Sequence, residues 1–386
     1  MSYDFDEIIN RAGTNSEKWD AYKGRDIIPM WVADMDFKSP VPIINALKKR
    51  ADHGIFGYTL EPDELFDAIV TRMKKIYKWK IQKEWITLIP GLVSGINAVS
   101  RAFGITNDEI ITTIPVYPPF LSAPGNSGKI LISVPMMEKK GRFTLDLDEI
   151  EKSITDKTRL FILCSPHNPC GTIFTKDELA TLSKICADNG VVVCSDEIHC
   201  DFILDRDKKH IPTASVSELA AENTVTLMAP SKTYNIPGLG CSYAIIPNME
   251  KRKIFTASNK GIIPHVNLIG LTAGLAALTE CNEWLGELLV YLRNNGNIVE
   301  KTINGIQGLK MNHVEATYLA WIDARGTGIK DPANFFEKAG VGLSCGTYFG
   351  TKGFVRLNFG CPRSQLLKAL ARMEQAINTY YSGQRL

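Results

Sequence analysis

The chain has 386 residues, of which 45% are hydrophobic and 22% charged, with a formal net charge of +2. That length buries a sizeable core and implies about two domains, and the composition is ordinary for a soluble globular protein. The near-balanced charge is scattered, which excludes a nucleic-acid or membrane partner recognised by a basic surface.

In chain order, Met1–Arg11 carries acidic residues and no apolar segment, so no signal peptide is expected there. Residues 1–40, punctuated by Pro29 and Pro40, read as an extended arm. Its run Trp31-Val32-Ala33-Asp34-Met35-Asp36-Phe37 mixes apolar residues with two aspartates, which argues against a wholly dry core. Pro42–His53 has helical spacing, and Gly54-Ile55-Phe56-Gly57-Tyr58-Thr59 follows as a glycine-bracketed turn presenting the Tyr58 phenol. Ile86–Ile89 reads as a strand, turned by Pro90-Gly91-Leu92-Val93-Ser94-Gly95 into a helix over Ile96–Phe103. Amides near Leu92 and Val93, with the Ser94 hydroxyl, suit an anion at that helix start. Such turns are also common without any ligand.

Strands follow at Glu109–Thr113, Lys129–Pro135, Arg159–Cys164, Val191–Cys194 and Val225–Met228, with Arg142–Asp146 as the lead into a helix over Leu147–Ile154 and a further helix over Leu179–Asn189. Their ends carry the polar groups of interest. Tyr117 stands between prolines as a fixed aromatic face. Asn168 precedes Pro169 and is driven toward extended backbone, although Asn-Pro is also a common turn pair. Asp196 falls just past a buried strand, where a carboxylate is costly unless partnered. His199 lies three residues on. Ser231-Lys232-Thr233 follows the apolar run to Met228, and a desolvated lysine there loses its proton readily. The C-terminal part continues with helices over Ile269–Thr279 and Glu283–Asn304, strands over Ala316–Asp323 and Phe354–Phe359, and a helix over Ser364–Tyr381. Arg356 alternates with apolar neighbours and offers a two-pronged donor for a carboxylate.

Ser231-Lys232-Thr233 with Pro237-Gly238 resembles the cofactor-lysine motif of fold-type I pyridoxal-phosphate enzymes, the aspartate aminotransferase superfamily. The runs Trp31–Phe37 and Ser195-Asp196-Glu197-Ile198-His199 narrow the likeness to its MalY/PatB-like cystathionine β-lyase (C–S lyase) branch. The resemblance implies an α/β fold with a mostly parallel seven-stranded sheet between helices, in a large domain at 41–284. It implies a smaller α+β domain at 285–386 and an arm at 1–40 that joins the small domain and approaches the active-site entrance. It also implies pyridoxal 5′-phosphate held by Lys232, Ser231, the amides of Leu92 and Val93, and Tyr58 of a neighbouring subunit in a homodimer.

In that likeness Tyr117 stacks on the pyridine ring, Asp196 faces its nitrogen, and Asn168 bonds its phenolic oxygen. His199 stands where aminotransferases commonly carry a tyrosine. Arg356 takes the substrate carboxylate, with Asn168 and Asp34 on the substrate side, and Lys232, Asp196 and Tyr58 are the expected catalytic residues. Two departures weaken the phosphate cup: Ala229 replaces a common serine and Gly240 a common arginine. The implied activity is β-elimination from cystathionine or a cysteine S-conjugate, with amino-acid transamination and an added regulator-binding role as the alternatives. Nine cysteines without a CxxC pair, several in apolar runs (Cys164, Cys194, Cys241), fit reduced buried thiols in the cytoplasm and no metal cluster.

Overall fold

Apolar strands buried on both faces dictate the architecture. The computed structural model describes residues 3–383. The first two residues of the expected arm and the last three of the expected small domain lie outside the described residues. The central sheet has seven strands: β1 (Ile86–Ile89), β2 (Glu109–Ile114), β3 (Ile130–Pro135), β4 (Thr158–Cys164), β5 (Val192–Asp196), β6 (Thr224–Met228) and β7 (Ser242–Ile245). Their order is β1-β7-β6-β5-β4-β2-β3. Neighbours run parallel except for the two pairs made by β7.

Strand β4 illustrates the burial, since every residue except Arg159 is buried. Leu160 and Ile162 join Ile96 and Val99 of the helix Leu92–Ala102 on one face. Phe161 and Leu163 join Leu179 and Leu182 of the helix Lys176–Asp188 on the other. Each such side chain contributes about 1.5–3 kcal/mol on full burial, and the two layers of helices fix the sheet between them.

Four details differ from the sequence reading. The helix expected from Ile96 begins at Leu92, directly after Gly91, whose φ of +124° makes the sharp strand-to-helix turn. Arg142–Thr144, expected only as a lead into the next helix, forms a strand that pairs with Met137–Lys139 as a hairpin outside the central sheet. Asp196 closes β5 instead of following it. The expected strand from Ala316 starts only at Leu319, because Thr317 adopts a φ of +75°.

The chain leaves the large domain through the helix Asn282–Gly305, which buries Trp284, Leu288, Leu292, Val299 and Ile303 along one stripe. The small sheet comprises β8 (Lys310–Met311), β9 (Leu319–Asp323), β10 (Ser344–Cys345) and β11 (Phe354–Asn358), antiparallel in the order β8-β9-β11-β10. Asn295 of the long helix ties this domain down, donating to the carbonyls of Phe359 and Cys361 at 3.1 and 3.0 Å. The arm pairs through Ile28–Pro29 with Val341–Gly342 of the small domain. It then crosses toward the strand ends of the large sheet. All nine cysteines are free and eight are buried. Among the described residues no helix is long and apolar enough to cross a membrane, and no cluster of His, Cys, Asp and Glu is arranged to hold a metal.

Candidate active site

The parallel strands end on one side of the sheet, and in such sheets ligands bind beyond the carboxyl ends. Here β2 leads to Tyr117, β4 to Asn168, β5 ends on Asp196, and β6 leads into the helical turn Pro230–Thr233 that carries Lys232. An inner chamber of about 260 Å³ is lined by Gly91, Leu92, Val93, Ser94, Tyr117, Asn168, Asp196, His199, Ser231 and Lys232. An outer chamber of about 390 Å³ lies between Glu17, Trp31, Tyr117, Tyr348, Phe349, Lys232 and Arg356. Tyr117 and Lys232 belong to both, so an amine and an aromatic face stand where the two chambers meet.

The inner chamber is built for a group that is anionic at one end and cationic at the other. At its first end, the Gly95 amide makes a helix bond to Gly91 O at 3.1 Å, which leaves the amides of Leu92, Val93 and Ser94 without helical partners. With the hydroxyls of Ser94 and Ser231 they line a cup that the helix dipole makes favourable for an anion. Gly240, with a φ of +60°, sits against Pro90 O, so a side chain there would be strained.

At the far end Asp196 is 4% exposed. Burial pushes its carboxyl up to about 7, opposed by the Ile198 amide on Oδ1 at 3.1 Å and by nearby Lys232. A carboxylate raised by desolvation is the natural partner of a protonated ring nitrogen. His199 lines the same chamber with its buried Nδ1 lacking a partner, and burial lowers its pKa to about 3, so the ring is neutral.

Lys232 is partly buried, and desolvation lowers its amine to about 8 against the opposing pull of Asp34. Nζ donates to Ala33 O at 2.6 Å. Arg356, on β11 and 4% exposed, donates through Nη1 to Asn168 Oδ1 at 3.0 Å. Its Nη2 donates to Trp31 O at 2.7 Å and Ser344 Oγ at 3.3 Å. Burial lowers its pKa to about 10, which leaves it charged at neutral pH. Its Nε is buried without a partner. Ammonium and guanidinium groups thus converge with an amide where the two chambers meet.

Of the residues read from sequence, Lys232, Ser231, Asp196, His199, Asn168, Tyr117, Leu92 and Val93 line the inner chamber, and Arg356 stands beside it. Two do not join them. Tyr58 is fully exposed on the segment after the helix Val41–His53, and its phenol lies away from this chain's own chambers. The Asp34 carboxylate turns into the arm, paired with Arg11 at 2.5 Å and Lys18 at 3.8 Å, while remaining close enough to influence Lys232.

Sequence reading missed the side chains that hold the arm over the site. Tyr318 donates to Ala33 O at 2.8 Å. Asn358 holds Val32 O and Asp34 O at 2.5 and 2.7 Å. Asn235 accepts from Met35 N and donates to Met35 O and Phe37 O, all within 2.9 Å. Asn358 carried a usable signal, since it stands two residues after Arg356 on the same strand and so on the same face.

The profile of the aminotransferase class I and II family matches residues 25–373. Cystathionine beta-lyase PatB of Bacillus subtilis (strain 168) is 39% identical, covering 97% of this chain and 100% of its own length. The crystal structure of OvoB superposes with a TM-score of 0.96 at 43% identity, over 98% of this chain and 100% of the other. Cystalysin from Treponema denticola, whose structure contains a pyridoxal 5′-phosphate cofactor, superposes with a TM-score of 0.93 at 34% identity, over 98% of this chain and 100% of the other.

Proposed function

The chain belongs to the aminotransferase class I and II family, and we propose that it is a pyridoxal-phosphate-dependent carbon–sulfur β-lyase. Its substrate is L-cystathionine or a related cysteine S-conjugate, released as thiol, pyruvate and ammonia. The observation that carries the reading is the meeting of Lys232, Asp196, Asn168 and Arg356 at the junction of two chambers. One chamber is shaped for a phosphorylated pyridine, and the other is open to a variable side chain. The relatives named as cystathionine β-lyases support elimination over transamination.

The inner chamber fits the cofactor by its donor set. The amides of Leu92 and Val93, with the hydroxyls of Ser94 and Ser231, would hold the phosphate by donating to its oxygens. Asp196 supplies the carboxylate that holds a proton on the ring nitrogen, and Tyr117 supplies an aromatic face. Asn168 and His199 line the remaining edge. Once bound, pyridoxal phosphate supplies the electron sink for the pair left when the substrate α-proton is removed.

The chain's own groups do the rest. The desolvated Lys232 amine takes the α-proton, a task suited to a base whose pKa lies near working pH. Arg356, oriented by Asn168 and Ser344, grips the α-carboxylate with two hydrogen bonds. The arm carbonyls of Trp31 and Ala33 wall the site, while the Asp34 carboxylate stays paired with Arg11 behind them and acts on Lys232 only through its charge. The β-substituent lies in the outer chamber, from which the thiol departs.

Tyr58 acts in this reading from a second copy of the chain. Ile55, Phe56, Tyr58 and Leu60 are all exposed on one short segment, and a homodimer would cover them. Nine free thiols support a reducing compartment, the cytoplasm.

The deciding experiment gives the cofactor-loaded protein L-cystathionine without any keto acid and follows pyruvate and free thiol. Equal release of both over many turnovers is expected. Conversion of the cofactor to its amine form, with turnover only after a keto acid is added, would make the protein an aminotransferase.

A further inference from the structure

The outer chamber must house whatever hangs from the substrate sulfur, and the inference here rests on the lyase reading above. Its two deep charges, Lys232 and Arg356, are both positive and are committed to the α-amino and α-carboxylate end. Glu17 is the carboxylate on its lining, standing exposed at the rim. Other acidic groups nearby on the arm are already matched. Asp34 and Asp36 pair with Arg11 and Lys18, and Asp20 accepts the Gly13 amide at 2.7 Å. Glu17 makes neither a hydrogen bond nor an ion pair with any described residue.

Its position is nevertheless fixed. Glu17 opens the helical turn Glu17–Asp20, which Ser16 caps through the Trp19 amide. The next residue, Lys18, is fully buried and bonded to Asp36 at 2.8 Å, which pins the turn to the protein. The carbonyl of Lys18 also accepts the Trp31 indole N–H at 3.1 Å, so the Glu17 turn and the Trp31 wall are held as one unit. The other walls include the rings of Tyr117 and Tyr348. A negative rim above aromatic faces attracts a cation by charge and by the ring quadrupoles together.

We propose that Glu17 is a specificity-determining residue that selects cysteine S-conjugates whose sulfur substituent ends in a protonated nitrogen.

The test compares three conjugates of similar length on the cofactor-loaded enzyme: S-(2-aminoethyl)-L-cysteine, S-propyl-L-cysteine and S-(2-carboxyethyl)-L-cysteine. Glu17→Gln is expected to lower kcat/KM for the cationic conjugate about three- to fivefold, the size of a partly exposed ion pair. It should change the neutral conjugate by less than twofold and improve the anionic one. The loss on the cationic conjugate should shrink in 0.5 M salt, where exposed charges are screened.

A uniform change across all three conjugates, or none, overturns the proposal. Binding of each conjugate read from the cofactor absorbance needs no elimination. If no thiol is released from any of the three, the lyase reading falls, while the same charge ladder in affinity still upholds Glu17. A flat ladder removes it.

Discussion

Lys232 Nζ and Ala33 O lie 2.6 Å apart, so the amine at the end of β6 is held by a carbonyl of the N-terminal arm. That contact satisfies one N–H but does not offset desolvation, and the amine is lowered to about 8. In an unfolded chain a lysine titrates near 10.4. Between these values the unfolded state binds the proton and the folded state does not, so stability of the cofactor-free protein rises with pH across that window. Below about pH 8 the full cost of the buried charge is present. Lys232→Met should therefore exceed the parent by about 1–3 kcal/mol at pH 7, and the gap should close toward pH 10.5. Urea melts of both cofactor-free proteins at the two pH values check this. A gap independent of pH would mean that the amine is not desolvated. With cofactor and substrate the same variant should be inactive.

Asp196 has the opposite sign. Its carboxyl is raised to about 7 by burial, so the folded state holds the proton more tightly than the unfolded one. The resulting stabilisation is fully present below about pH 3.9 and is lost as pH rises through 7. Cofactor-free Asp196→Asn should accordingly gain on the parent between pH 4 and pH 8. Loading with pyridoxal phosphate should reverse the order, because an amide cannot hold the proton on the ring nitrogen. Activity should fall about a hundredfold or more, as when one oriented electrostatic partner is removed. Thermal melts with and without cofactor at pH 8 give the comparison, and equal cofactor stabilisation of both proteins would remove Asp196 from that role.

The elements that carry the inner chamber were legible because each follows a largely apolar strand that the structure buries almost completely. Such runs as Thr158–Cys164 and Thr224–Met228 announce both their burial and their ends, and Asn168 and Lys232 are read from what comes next. The arm was not legible in that way. Its contacts with the site are made mostly by main-chain groups of residues 31–37, which carry no residue-specific signal. The side chains that hold them, Asn235, Tyr318 and Asn358, come from far along the chain. The resemblance puts Asp34 on the substrate side, and the partners that draw its carboxylate into the arm, Arg11 and Lys18, carry no sequence signal that they face it.

Arg356 combines a charge-bearing fork with three fixed contacts to Asn168, Ser344 and Trp31. Lysine keeps the charge but loses the fork and its orientation. Arg356→Lys should raise KM for amino-acid substrates more than about tenfold while kcat changes by a few-fold at most. Steady-state kinetics with L-cystathionine resolve the two. A variant that lost only kcat would place Arg356 outside ground-state carboxylate binding.

Lys18 and Asp36 form a buried pair at 2.8 Å, with Asp36 also bonded by Trp19 Nε1 at 2.9 Å, Arg11 at 2.6 Å and Gln365 at 3.0 Å. Against the opposing effect of burial, Lys18, Trp19 and Arg11 hold the Asp36 carboxyl below its usual range. Removing Lys18 leaves Asp36 with Arg11 as its charged partner, and removing Asp36 leaves the fully buried Lys18 with only the Asp34 carboxylate at 3.8 Å. Asp36→Leu, which leaves Lys18 buried beside only a distant carboxylate, should destabilise by about 3–5 kcal/mol, Lys18→Met by less, and the double change by less than the sum of the two. Urea midpoints of the single and double variants measure the coupling. Simple additivity would show that the pair does not act as a unit.

Tyr58 lies outside its own chain's chambers, so its proposed role requires a second subunit. Each of two identical sites in a dimer would then combine Lys232 of one chain with Tyr58 of the other. Tyr58→Ala and Lys232→Ala should each be nearly inactive alone. When equal amounts are unfolded, mixed and refolded, statistical pairing makes half of the dimers hybrid. In a hybrid, one site carries both substitutions and the other carries neither. About a quarter of wild-type activity should therefore return. Mixing without unfolding should restore activity only as fast as subunits exchange. Recovery of none, from a mixture in which hybrid dimers are demonstrated by differently tagged chains, would show that Tyr58 does not cross the interface to serve the partner's lysine.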